Sequence, residues 1–388
     1  MKRALVLDGR TLSSLAVARS LGNAGYTVDC GETFTPNITQ FSKYVDETVS
    51  YPPADKSHDA FYHAIMSTLT KSDYDVLIPT RDATTRAVSA RKEEIEQQTN
   101  VFVAPPRILD QFVDKGKTIK LAQEAQIPTP TTYFPDETSL EEIAKQLEYP
   151  ALIRPKRGSG SRGITMVEDR DDLESSYKKI QKKFGDSMIQ EYVKKSGYTT
   201  AAILFDEEQN EVASFTYERQ KEYPLDGGPT VVGESTDDDD AKHYAKKLLT
   251  EGSWYGPAEV EFILDEDGTP RLLEVNPRFW MPVHLAVVAG VDFPSNVAHL
   301  AEGIHVKPTT QYRTGVTYRW ILPNEILHTV ASRELLNGVL DMAKSPFSDT
   351  CYGILSTEDP LPTLGAVGQS LSFLMDEEKR KSVLDRGA

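Results

Sequence analysis

Cysteine is scarce: Cys30 and Cys351 are the only two in 388 residues. Lying far apart, they suggest neither a disulfide framework nor a cysteine-spaced metal motif. Positive charge is in deficit as well. Lys and Arg number 43 against 59 Asp and Glu, for a net charge of -16, and long-range repulsion then disfavours a general nucleic-acid or anionic-membrane surface while leaving room for local phosphate sites. No apolar run reaches the ~18 residues of a membrane helix. The apolar stretch near the N-terminus, Ala4–Leu7, is too short for the core of a signal peptide. There is no internal repeat. Two familiar nucleotide motifs are also missing: Asp8-Gly9-Arg10-Thr11 follows a strand but opens no G-x-G-x-x-G, and Gly116-Lys117-Thr118 lacks the earlier P-loop glycine, residue 111 being Gln111. What remains, at 39% hydrophobic and 26% charged residues, reads as a reduced, cytoplasmic enzyme or binding protein of two or three domains.

The order of elements is α/β. Ala4–Leu7 reads as a buried strand, Leu12–Ala24 as a helix and Tyr26–Cys30 as a second strand. A helix over Asp59–Leu69, the strand Val76–Ile78, a helix over Thr84–Gln97 and the strand Val101–Ala104 continue the alternation, which implies a parallel sheet. Beyond Pro105-Pro106, Asp110–Ala125 and Glu141–Leu147 read as helices. Strands, a glycine-rich turn and the helices Leu173–Phe184 and Asp238–Thr250 follow to about residue 300. Val316–Leu322 is a candidate strand in a C-terminal part that carries no interpretable motif. Asp237–Asp240 reads as the start of a helix, its charges suiting the N-terminal dipole.

The segment Glu259–Asn276 carries the most chemistry. Asp267-Gly268 is a strong hairpin turn between two alternating runs. A symmetric turn there sets Glu261 opposite Glu274 and Glu259 opposite Asn276, all on one face. Val260, Phe262, Leu264, Leu273 and Val275 share the other. Directly opposed carboxylates repel, and a divalent cation reverses that sign; oxygen-only ligands suit Mg²⁺ or Mn²⁺, completed by phosphate oxygens and water. Arg278 projects from the same face if the strand continues past Pro277. A solvated hairpin face fits the same pattern, and a bulged turn would change the register.

A second constellation runs from Tyr149 to Ile164. A buried strand ends in Arg154 and Lys156, then in the loop Gly158-Ser159-Gly160-Ser161-Arg162-Gly163. Glycines let backbone N–H groups approach phosphate oxygens, with Arg154 as a fixed charge; a basic, flexible hairpin would look alike. A third piece, Met188–Val193, is a short strand that by itself reads as core.

Together, in this order and at these intervals, the pieces resemble the ATP-grasp superfamily, which includes biotin carboxylase, carbamoyl-phosphate synthetase, D-alanine–D-alanine ligase and D-aspartate ligase. The resemblance covers residues 1 to about 305. It implies a pre-ATP-grasp parallel α/β domain over 1–108, an ATP-grasp domain over 109–305 with a glycine-loop subdomain near 128–190, and a C-terminal extension over 306–388. It further implies that Lys115, Arg154, Lys156 and the Gly158–Gly163 loop contact nucleotide phosphates, and that Gln190, Glu191 and Val193 lie on the adenine linker. Glu261, Glu274 and Asn276 would be the metal ligands, with Arg278 and Arg154 as the catalytic cations. Asn276-Pro-Arg-Phe-Trp280, Ala289–Pro294 and Tyr223–Gly228 look most like the D-aspartate-ligase-like carboxylate–amine ligases. Lys194-Lys195-Ser196-Gly197 departs from the pattern by offering no carboxylate to the ribose, which leaves nucleotide selectivity unassigned.

The expectation is therefore an ATP- and Mg²⁺-dependent ligase that turns a carboxylate into an acyl phosphate and passes it to an amine. Its partners are small molecules rather than nucleic acid or membrane, and a homo-oligomer is compatible with this. Arg219 and Lys221 are substrate or phosphate contacts or else a charged surface strand. Arg10 and Asp82, at strand ends of the first domain, are acceptor or donor contacts on the rule that open α/β sheets bind ligands there. Two rivals are an ATP-grasp carboxylase that activates bicarbonate and a non-catalytic nucleotide-binding protein.

Overall fold

A computed structural model of the chain describes residues 2–158, 160, 162–225, 227–344 and 349–375. Among the described residues, three sheets organise the fold. The first is parallel, with strands β1 (Arg3–Val6), β2 (Thr27–Glu32), β3 (Val45–Ser50) and β4 (Val76–Ile78) in the order β3-β2-β1-β4. The helix Leu12–Asn23 joins β1 to β2 and starts at Thr11, whose hydroxyl accepts from Ser14 N at 3.1 Å. Strand β3 escapes a reading by apolar pattern because it is an edge strand of Val-Asp-Glu-Thr-Val-Ser with little burial.

Several sequence expectations shift here. The helix expected over 84–97 is two, Asp82–Ala90 and Lys92–Ile95, broken at Arg91. Val101–Ala104 is buried but joins no strand ladder; a single bridge ties the neighbouring Asn100 to Val76. The helix expected over 110–125 is also two, Pro106–Val113 and Lys115–Glu124. Asp114 between them takes an extended conformation and accepts from Lys117 N at 3.2 Å, so it ends one helix by capping the next. The helix expected from Leu173 begins at Arg170, capped by Asp169, which accepts from the N–H groups of Asp171 and Asp172.

The second sheet is antiparallel and small: β5 (Thr132–Tyr133), β6 (Ala151–Pro155), β7 (Thr165–Val167) and β8 (Ser187–Glu191), in the order β5-β8-β6-β7. Ile153 and Ile189 pack there against Leu173 and Ile180 of the helix Arg170–Phe184.

The third sheet has seven strands: β9 (Gly197–Phe205), β10 (Glu211–Glu222), β11 (Thr230–Thr236), β12 (Gly256–Leu264), β13 (Pro270–Asn276), β14 (Thr317–Arg319) and β15 (Thr350–Tyr352). Their order is β13-β12-β9-β10-β11-β14-β15. The last two come from the C-terminal part, so that part completes the large sheet. Asp238 caps the helix Asp239–Glu251, whose Ala245, Leu248 and Leu249 form a core with Val260, Phe262, Leu272 and Val275 under the β12–β13 end of this sheet. The opposite face of that hairpin is thereby left to its polar residues. Among the described residues, no helix is long and apolar enough to cross a membrane.

Candidate functional site

The β12–β13 hairpin pairs Glu259 with Asn276 and Glu261 with Glu274, the register expected. It reaches that register by another route. The connection spans Asp265–Thr269, with Asp265 accepting from the N–H groups of Asp267 and Thr269 and Gly268 at φ +80°. Next to the turn Phe262 opposes Leu272, and the ladder shifts by one residue before Glu274. Leu273 is the extra residue of this bulge, so the core position expected for it belongs to Leu272, which is fully buried. Leu264 is likewise only partly buried. The bulge offsets the longer turn and restores the facing carboxylates.

Across the sheet Glu261 opposes Thr200, which in turn opposes Tyr217. That row brings β10 into the site. Tyr217 donates to Glu259 at 2.5 Å, and Asn276 Nδ2 donates to Glu259 at 2.9 Å and to Glu261 at 2.8 Å. Arg219 donates to Glu261 through Nη2, to Glu222 at 3.1 Å and to Thr230 Oγ1 at 3.2 Å, with its guanidinium over the Tyr198 ring. Two further cations arrive from outside the large sheet. Lys115, the first residue of its helix, places Nζ 3.2 Å from Glu274 and donates to the Gly158 carbonyl at 2.7 Å. Arg154, near the end of β6, lies 3.8 Å from Glu274 and donates to Gln190 Oε1 at 2.7 Å, while its Nε is buried without a hydrogen-bond partner. Gln190 is itself fixed by donating to Thr132 Oγ1.

These surroundings separate the acids. Burial, reinforced by the Glu261 charge, raises Glu259 above the usual carboxylate range. Burial acts on Glu274 in the same direction, but Lys115 and Arg154 outweigh it and hold Glu274 below that range. Burial also lowers the Arg154 guanidinium. Arg278 extends the row beyond Asn276: it donates to Asp82 through Nε at 2.9 Å, to Asn276 Oδ1 at 3.0 Å and to the Phe279 carbonyl at 2.9 Å.

Among the described residues, no three acidic, histidine or cysteine side chains are spaced as a closed metal cage. The donor set is nevertheless oxygen-only, with two carboxylates and an amide on one face. That suits a hard divalent cation whose remaining ligands are phosphate oxygens and water. Glu261, Glu274 and Asn276 would hold it, once Asn276 turns its amide oxygen from Arg278 towards the carboxylates.

The remaining candidates make other contacts. Lys156 pairs with Asp136 at 3.0 Å. Lys221 reaches Asp341 at 2.5 Å and Glu325 at 3.4 Å, in a C-terminal ion network that Arg319 completes. Arg10 pairs with Glu32 at 3.7 Å and lies over the Phe34 ring. Glu191 accepts from Thr131 N at 2.8 Å, and Val193 is partly buried beside it. In the glycine loop, Gly158, Gly160 and Gly163 all have positive φ and Arg162 lies within the described part; Ser159 and Ser161 fall outside the described residues. Tyr217, Glu222 and Tyr198 escaped the sequence reading. The alternation Tyr217-x-Arg219-x-Lys221 was the one signal available for Tyr217.

The site is a row of carboxylates on one sheet of an α/β protein, ringed by cations from that sheet, a second sheet and a helix N-terminus. Residues 112–282 match the ATP-grasp domain family. The chain is similar to the 2-oxoglutarate carboxylase small subunit of Hydrogenobacter thermophilus, 23% identical over 224 residues, covering 54% of this chain and 47% of that protein. The aligned part spans less than half the length of each of the first curated relatives. Among solved structures, the biotin carboxylase domain dimer of that enzyme with MgADP and bicarbonate superposes at a TM-score of 0.67 and 19% identity, covering 81% of this chain and 73% of that one. An L-amino acid ligase from Bacillus licheniformis does so at 0.61 and 15%, covering 78% and 74%. At these identities the likeness shows the fold.

Proposed function

We propose that this chain is an ATP- and Mg²⁺-dependent ligase of the cytoplasm that activates a carboxylate as an acyl phosphate and joins it to an amine. One observation carries the reading: Glu261, Glu274 and Asn276 share a face into which Lys115, Arg154, Arg219 and Arg278 converge. The relative solved with MgADP supports the nucleotide and the metal, and the amino acid ligase supports the reaction class.

In this reading residues 109–305 hold the nucleotide. The backbone of 191–193 receives the adenine, because the Gln190 and Glu191 side chains are already engaged. Lys115, Arg154 and the loop from Gly158 to Gly163 orient the phosphates. Glu261, Glu274 and Asn276 would hold Mg²⁺, which when bound would neutralise charge on the phosphate oxygens. A carboxylate oxygen attacks the γ-phosphorus, the bond to the β–γ bridging oxygen breaks, and ADP leaves. The amine then attacks the acyl carbon, loses a proton and expels phosphate. Arg278 steadies the negative charge in both steps.

Bicarbonate as the activated carboxylate is the second reading, favoured by the carboxylases among the relatives. One screen tests both: ADP release against a panel of carboxylates and bicarbonate, with and without amines, and with hydroxylamine to trap acyl phosphates. Carboxylate-dependent hydroxamate is expected. Bicarbonate-dependent ADP release without hydroxamate would select the second reading, and turnover indifferent to every carboxylate would overturn both.

A further inference from the structure

Arg278 is held from two directions. Its side-on edge, Nε and Nη2, meets Asp82 at 2.9 and 3.4 Å, while Nη2 also donates to Asn276 and Nη1 to the Phe279 carbonyl. A guanidinium has five N–H donors. These four bonds leave one N–H, on Nη1, for a ligand, and turning the Asn276 oxygen towards a metal would free a second, on Nη2. Asp82 comes from the first sheet's side of the molecule, as the first residue of the helix Asp82–Ala90. The turn before it is fixed from beneath by Asp8, a buried carboxylate that accepts from Thr80 N at 3.1 Å, Arg81 N at 3.0 Å and Thr84 Oγ1 at 2.6 Å. Asp8 itself sits at φ +67° with its own N–H given to Tyr51. A carboxylate so anchored and so engaged is not a free acid awaiting a substrate amine.

We propose that Asp82 is a positioning residue of the nucleotide site: it fixes the Arg278 guanidinium so that its free Nη N–H groups meet the oxygens of the phosphoryl group in transfer. The first sheet is then part of the catalytic apparatus through Asp8, the 80–82 turn and Asp82, and a bidentate carboxylate sets the plane of the arginine as a monodentate contact could not. This inference rests on the proposed function.

The test uses the full chain and needs no knowledge of the substrates. Binding of MgADP is measured by calorimetry with and without aluminium fluoride, a mimic of the phosphoryl group in flight, for the wild type, Asp82→Asn, Arg278→Gln and the double variant. Fluoride should tighten wild-type MgADP binding. Asp82→Asn and Arg278→Gln should each lose roughly tenfold of that gain, with MgADP alone changed less than about twofold and the double variant no worse than Arg278→Gln. Asp82→Glu, which keeps the charge, should retain part of the gain and serves if Asp82→Asn does not fold. Independent, additive losses would overturn the inference, as would equal losses for MgADP alone, the mark of a merely structural role. A wild type that binds MgADP but gains nothing from fluoride would overturn it while leaving the ligase reading to the hydroxylamine screen. A wild type that binds no MgADP would remove the ligase reading too.

Discussion

Glu261 and Glu274 face each other across β12 and β13, and each is held by a cation from another part of the chain: Arg219 from β10 for Glu261, and Lys115, at 3.2 Å, for Glu274. Two opposed carboxylates on one sheet face are unfavourable unless something positive stands beside them. Here the positive groups are the ones that nucleotide phosphates would also attract. A divalent cation on the carboxylates would therefore release Lys115 and Arg219 towards phosphate and substrate, and metal and nucleotide binding would assist each other.

The metal assignment makes the first prediction. Glu274→Gln keeps the shape of the side chain and removes one charged ligand, so turnover on the true substrates should fall by orders of magnitude while the fold persists. Steady-state kinetics across a Mg²⁺ titration, with circular dichroism as the control, measures this. Near-normal Mg²⁺-dependent turnover would show that the ligand set lies elsewhere.

Arg219 gives a prediction of opposite sign for binding and catalysis. Its guanidinium competes with any cation for Glu261. Arg219→Gln should therefore bind Mn²⁺ several-fold more tightly in the absence of nucleotide, because Coulomb repulsion from a neighbouring fixed charge is removed. The same variant should turn over more slowly, having lost a charge beside the phosphates. Electron paramagnetic resonance titration of free Mn²⁺ reads the first effect. Weaker Mn²⁺ binding would mean that Arg219 supports the site instead of competing for it.

What the sequence made legible divides along local and non-local lines. The facing of Glu261 with Glu274 was readable because a period of two and an Asp-Gly turn are local signals. The bulge at Leu273 was not, since Leu272 and Leu273 are both apolar and either could face the core. The break at Asp114 was hidden because helices on both sides continue one apolar pattern, although aspartate is a good cap. Edge strand β3 carries almost no apolar pattern. The contact of Arg278 with Asp82 joins residues 196 positions apart, and the pairing of Lys221 with Asp341 joins residues 120 apart. No periodicity reports such pairs, because they depend on how the sheets meet. Arg219 illustrates the limit: its alternation with Tyr217 and Lys221 fitted a surface strand as well as a site, and its burial beside Glu261 came only with the fold.

The thiols test the packing itself. Cys30 and Cys351 are buried and free. Burial pushes the Cys351 thiol up to about 12, and it raises Cys30 further beyond the usual thiol range, with Glu32 and Asp8 adding to the effect. The thiolate is the reactive form, so at pH 8 the native chain should react with a disulfide reagent such as Ellman's far more slowly than free cysteine. Raising the pH towards 10 should change that little, since both thiols stay protonated well above the ordinary titration range. Two equivalents should react promptly in denaturant. Rapid native reaction of either thiol at pH 8 would contradict the burial of β2 or β15.

The last prediction separates a ligase from an idle ATPase. If a carboxylate attacks the γ-phosphorus directly, one of its oxygens must leave with the phosphate when the amine displaces it. In simple hydrolysis that oxygen comes from water. In the proposed reading Lys115 and Arg154, which meet at Glu274, would orient the phosphoryl group, and Arg278 would steady the charge that develops on it. The thiols are buried away from reaction, so no cysteine is placed to take the group instead. With a carboxylate and amine pair identified by the hydroxylamine screen, the carboxylate is labelled with ¹⁸O and the released phosphate analysed by mass spectrometry. One labelled oxygen in phosphate for each amide formed is the expected result. Unlabelled phosphate from a reaction that still makes amide would rule out the acyl phosphate. Label appearing in AMP would point instead to attack at the α-phosphorus and an adenylate, and the γ-directed cations of this site would then need another explanation.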